Sequence, residues 1–135
     1  MLARLILLLV LCATVATAAE LDHARFLQAV REVETGAGWD GTPGKHGEVS
    51  HWQLTPRVWR QHTALPFALA HDPAHAKVVA AKHARWLAAG LQRAGYAPTP
   101  ARMGTAWNLG LEGFLRNRGR ITDHGQRIAN LYSAK

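Results

Sequence analysis

The chain has 135 residues and a formal net charge of +7, with sixteen Lys and Arg against nine Asp and Glu. That length holds one domain. Its single cysteine, Cys12, lies in an apolar N-terminal run, so the remainder can use neither disulfides, Cys-bound metals nor thiol nucleophiles.

The N-terminus is ordered as a leader. Arg4 supplies a positive charge, Leu5 to Leu11 is unbroken apolar sequence, and Ala16-Thr17-Ala18 has the small-x-small pattern of a cleavage site. The apolar run falls short of the roughly 20 residues that span a bilayer. The expectation is a signal peptide over 1–18, a domain over 19–135, and an exported protein in the periplasm or outside the cell. An uncleaved anchor is the alternative. Lipoprotein processing at Cys12 is disfavoured because Leu9-Val10-Leu11 precede it. A basic exported protein is drawn to polyanions such as cell-wall polymers. Arg116, Arg118 and Arg120 form the only local basic cluster, and no nucleic-acid-binding motif surrounds it. The expectation is a monomer with no nucleic-acid partner and no stable membrane insertion once the leader is removed.

Beyond the leader the periods are helical. Leu21 to Thr35 carries Phe26, Leu27, Val30 and Val33 at helical spacing, and Gly36 ends it. Residues 36 to 51 are rich in glycine and predict a functional loop, with a candidate β-hairpin near 44–51. Thr55-Pro56 opens a helix to about Thr63, Pro66 a short piece to Ala70, and Asp72-Pro73 the longest helix, to about Ala94. Thr99-Pro100 caps a helix to about Leu109, Leu111 to Arg116 forms another, and Thr122-Asp123 caps the last. The predicted fold class is all-α.

On the first helix, with Val30 as reference, Glu34 falls about 40° away, inside the apolar stripe, while Glu32 points to the opposite side. Burial and a helix C-terminus both disfavour the charged carboxylate, so this reading expects Glu34 to hold its proton more tightly than usual. A protonated carboxyl is what general acid catalysis at a glycosidic oxygen requires. A loop cap or an arginine partner is the structural alternative.

Three later segments stand in order behind Glu34-Thr35: Gly47-Glu48-Val49-Ser50-His51-Trp52-Gln53-Leu54-Thr55-Pro56, Ala106-Trp107-Asn108-Leu109-Gly110, and Gln126-Arg127-Ile128-Ala129-Asn130-Leu131-Tyr132. This ordered set resembles the soluble lytic transglycosylase and goose-type lysozyme group of the lysozyme-like superfamily. That group shows Glu-Ser, then Gly-Ala-x-Gly-Leu-Met-Gln, then Ala-Tyr-Asn-Ala-Gly, and a final helix with tyrosine. The resemblance implies a lysozyme-like fold, Glu34 as catalytic acid and base, Gln53 and Asn108 on the glycan, and Tyr132 closing the cleft. It implies cleavage of the β-1,4 bond from N-acetylmuramic acid to N-acetylglucosamine in peptidoglycan, with no cofactor, and a 1,6-anhydro product formed by the sugar's own 6-hydroxyl. The chain departs from the pattern at Thr35 for Ser, Ser50 for Gly, His51-Trp52 for Leu-Met, and Trp107 for Tyr.

Further candidates come from residue chemistry. Glu48 either activates a water, as the second carboxylate of an inverting hydrolase, or anchors the loop through backbone N–H groups or an arginine. Glu112 is expected on the surface. Trp39, Trp52 and Trp107 flank the proposed site as sugar-stacking candidates, with Trp52 equally suited to the core; Trp59 and Trp86 are expected in the core. His51 and Thr35 are substrate-contact candidates, and His83 is read as a satisfied core histidine. His71 and His75 are separated by Pro73, and no third ligand has diagnostic spacing, so no metal site is expected. Two other functions stay open: a lysozyme-type hydrolase using Glu34 with Glu48, and a non-catalytic peptidoglycan-binding module.

Overall fold

The computed structural model describes residues 19–36 and 38–134. The leader expected over 1–18 lies outside them. The described chain is all-α, with helices α1 (His23–Thr35), α2 (Pro56–His62), α3 (Pro73–Arg93), α4 (Pro100–Arg116) and α5 (Asp123–Ser133), and a 3₁₀ turn at Phe67–His71 before α3.

Each helix begins at a side chain that accepts one of the backbone N–H groups left unpaired in the first turn. Asp22 accepts from Arg25, Thr55 from Val58, Asp72 from Ala74, Thr99 from Arg102 and Thr122 from Gly125. Such caps contribute about 1 kcal/mol apiece. In α2, α3 and α4 a proline follows directly, where its missing N–H costs nothing. α4 breaks at Gly110, with φ 75° and ψ 162°, which separates the two helices expected on either side. The β-structure is smaller than expected and shifted in sequence. Among the described residues it is one antiparallel bridge, Val49 with Leu54, closed by N–H···O bonds of 2.9 and 2.8 Å.

α1 packs on α3 and α5, and α4 on the same two helices. Phe26, Val30, Leu87, Met103, Phe114 and Ile128 are fully buried between them. The loop from α1 to α2 packs against α1 and α4 and sends Trp52 and Leu54 into the core. No helix among the described residues is long and apolar enough to cross a membrane.

α4 and α5 pack backbone to backbone at Gly125. A Cβ there would stand 2.1 Å from Thr105 Oγ1, 2.7 Å from the Ala101 carbonyl and 2.8 Å from the Thr105 nitrogen. Two of those three atoms are backbone and cannot swing aside. Helix propensity alone favours alanine over glycine by about 1 kcal/mol. Overpacking of this severity costs about 1–3 kcal/mol, so the contact outweighs the propensity. Gly125→Ala is therefore expected to destabilise the protein, read as a lower denaturation midpoint in urea; an unchanged or higher midpoint would show that the helices slide apart freely.

Candidate active site

A pocket of about 220 Å³ opens where the α1 end, the loop and the middle of α4 meet, lined by Glu34, Lys45, Glu48, Gln53, Trp107 and Asn108 together with Gly44 and Thr55. Five sequence-predicted site residues, Glu34, Glu48, Gln53, Trp107 and Asn108, are thus brought together from three separate segments.

The last turn of α1 delivers Glu34, as the helical period requires. Its side chain is 18% exposed, and its Oε1 lies 2.8 Å from Nε2 of His124, itself 16% exposed, in the first turn of α5. Glu32, on the other side of α1, is contacted by Gln28 one turn earlier. Glu112 is exposed, as expected.

Gln53 is delivered by a reversed turn. The Val49–Leu54 bridge leaves four residues to turn the chain, and two of them, Ser50 (φ 82°) and Gln53 (φ 51°), adopt left-handed backbone. Such positions store roughly 1–3 kcal/mol of strain in a residue with a side chain. Hydrogen bonds hold them there. Ser50 Oγ accepts from the Trp52 N–H, and the Ser50 carbonyl accepts from both the backbone and the side-chain nitrogen of Gln53. Ser50 stands where the resembled pattern has glycine, and its φ shows what that glycine would supply. The turn sends successive side chains opposite ways, Trp52 inward and Gln53 to the pocket.

Glu48 takes the anchoring role and also faces the pocket. Its Oε2 accepts the His46 N–H at 2.8 Å, which anchors the loop, and the residue lines the pocket with Glu34. A Cβ at Gly44 would stand 2.3 Å from Glu48 Oε2 and 2.9 Å from Gln53 Oε1, so a larger residue there would push these two side-chain ends aside.

Four predicted contacts lie elsewhere. Thr35 Oγ1 is near the carbonyls of Arg31 (3.0 Å) and His51 (3.2 Å), so it ties α1 to the loop. His51 accepts the Trp39 N–H through Nδ1; burial, with Arg31 nearby, pushes its imidazole below the ordinary value, in keeping with an acceptor nitrogen. Trp52 is buried, its indole donating to the Leu27 carbonyl at 3.0 Å. Tyr132 sits near the far end of α5, its hydroxyl accepting the Asp22 N–H and its ring under Arg25. It lines a separate, mostly apolar cleft of about 700 Å³ with Tyr96, Pro98 and Pro100. The residue that α5 contributes beside Glu34 is His124, eight positions earlier. No sequence signal singles out His124, because ninety residues separate it from its partner.

Behind Trp107 the wall is aromatic and imidazole. Trp107 packs edge-on to Phe26 and His83, and its indole donates to the Trp52 carbonyl. His83 is buried as expected, 3.0 Å from His62 through ring nitrogens and stacked on Trp86. Burial first, and the neighbouring His62 second, bring its pKa down to about 4. Trp59 is fully buried, but Trp86, expected in the core, is 38% exposed. It covers His83 from the solvent side because α3 packs on its neighbours through its alanines and leucines. Among the described residues no three His, Cys, Asp or Glu side chains gather as metal ligands would.

A buried-edge carboxyl paired with an imidazole, a second carboxylate, two side-chain amides and a tryptophan around one small pocket form a set able to bind a polar ring and move a proton at its edge. No protein-family model matches this chain, and neither curated proteins nor solved structures yield a match.

Proposed function

We propose that this chain is a peptidoglycan-cleaving enzyme of the lytic transglycosylase type, with a lysozyme-like fold, acting on the β-1,4 bond between N-acetylmuramic acid and N-acetylglucosamine outside the cytoplasm. The observation that carries this reading is the convergence of Glu34, Gln53, Trp107 and Asn108 on one pocket in an all-α chain. Glu34 gives its proton to the glycosidic oxygen as the C1–O bond breaks. The resulting carboxylate then takes the proton of the 6-hydroxyl as that oxygen closes on C1. No water is consumed and the product is a 1,6-anhydro sugar. Gln53 and Asn108 hydrogen-bond the sugars, and the Trp107 face gives them an apolar wall.

The place of Glu48 in the same pocket favours a second reading, an inverting hydrolase in which Glu48 activates water. Mass spectrometry of the fragments released from purified peptidoglycan separates the two. Anhydro-muropeptides support the transglycosylase. Reducing products heavier by one water support the hydrolase. Wall binding with no soluble fragment, on walls of several chemotypes, would leave a binding module instead.

A further inference from the structure

The resemblance to known wall-cleaving enzymes gives α5 a role through Tyr132, yet α5 reaches Glu34 through a different side chain. His124 and Glu34 join α5 to the α1 carboxyl by a hydrogen bond of 2.8 Å, and both side chains are mostly shielded from water. The backbone that carries the imidazole is held on either side of it. Thr122 caps α5 and also donates its own N–H to Thr105 Oγ1, and Gly125, the next residue after His124, lies against the α4 backbone. His124 thus sits in the first turn of α5, beside a close α4–α5 backbone contact, rather than on a loop.

We infer that His124 is a positioning residue for Glu34: its Nε2–H holds Oε1 and leaves Oε2 to carry the catalytic proton. This inference rests on the wall-cleaving function proposed above. Among the described residues no hydrogen bond to Glu34 Oε2 competes with a substrate oxygen. With Oε1 tethered, the carboxyl plane cannot rotate freely, so the acid oxygen is aimed before the substrate arrives. When Oε2 loses its proton to the glycosidic oxygen, negative charge spreads to Oε1. The Nε2–H···Oε1 bond becomes charge-assisted at that moment, so it is stronger in the transition state than in the ground state. His124 itself neither gains nor loses a proton and does not touch the substrate. It acts through Glu34.

The test is steady-state release of muropeptides by wild type, His124→Ala and His124→Gln. A bond that strengthens only in the transition state lowers kcat by roughly 10- to 100-fold in His124→Ala while KM stays within about twofold. His124→Gln keeps a side-chain N–H donor and recovers a measurable part of kcat. A second readout does not depend on activity: the ¹⁵N imidazole spectrum of the wild type shows His124 protonated on Nε2, with that proton slow to exchange, and the slow exchange disappears in Glu34→Ala. Wild-type kcat in folded His124→Ala overturns the inference alone, as does equal loss in the Ala and Gln variants with the Nε2 proton absent from the wild type. If wild type releases nothing, the wall-cleaving reading fails and the positioning role goes with it.

Discussion

Glu34→Gln is expected to fold as wild type and to release muropeptides roughly 10²- to 10⁴-fold more slowly, the usual size of a general acid's contribution. The two side chains are isosteric. The amide oxygen of glutamine can still accept from His124 Nε2, so the link between α1 and α5 survives and the unfolding midpoint should move little. In the proposed mechanism, what is lost is the proton given to the glycosidic oxygen. The companion variant Glu48→Gln separates the two chemistries that share the pocket. An amide oxygen at position 48 can still accept the His46 N–H that anchors the loop. A transglycosylase, which needs no second carboxylate, keeps its turnover in Glu48→Gln within several-fold. An inverting hydrolase loses it almost as fully as in Glu34→Gln. Full activity in Glu34→Gln would remove the acid assignment altogether.

The second large effect is on stability in acid. His83 is 6% exposed, and burial first and His62 second set its pKa near 4 in the folded protein, against about 6.5 for an exposed histidine. A folded value below the unfolded one means that the unfolded chain binds more protons between the two. The stabilisation is therefore complete above about pH 6.5 and is lost as the pH falls toward 4. The difference corresponds to about 3 kcal/mol, a large part of the stability of a small domain. His62 and His51 are also shifted downward, both chiefly by burial, so they act in the same direction. Urea unfolding at about pH 7.5 and about pH 4 should show the loss. His83→Phe keeps an aromatic ring between Trp86 and Trp107 but cannot titrate, and leaves the half-buried His62 to find water. Its pH dependence should be flatter by about the same 3 kcal/mol. Parallel curves for the two proteins would show that His83 is not the group responsible, and an NMR titration of its imidazole would give its midpoint directly.

Much of this molecule is written in short stretches of chain. Thr55-Pro56, Asp72-Pro73, Thr99-Pro100 and Thr122 mark the helix starts because a cap needs only a side chain and an N–H two or three residues away. Glu34 is legible as inward-facing because the 3.6-residue period places it on the stripe of Phe26 and Val30, and Gly110 is legible as a break because glycine adopts the φ that ends a helix. Single residues were harder where a side chain has two homes. Trp52, suited equally to cleft and core, is drawn inward by the left-handed turn at Ser50 and the Leu27 carbonyl; Trp86, on an apolar helix stripe, ends at the edge of the face that α3 buries. The tertiary structure alone decided which residue of the last helix stands beside the acid. Local rules act over three or four residues, whereas the approach of His124 to Glu34 across ninety positions depends on how α5 crosses its neighbours, and that crossing is set where Gly125 allows two helix backbones to touch.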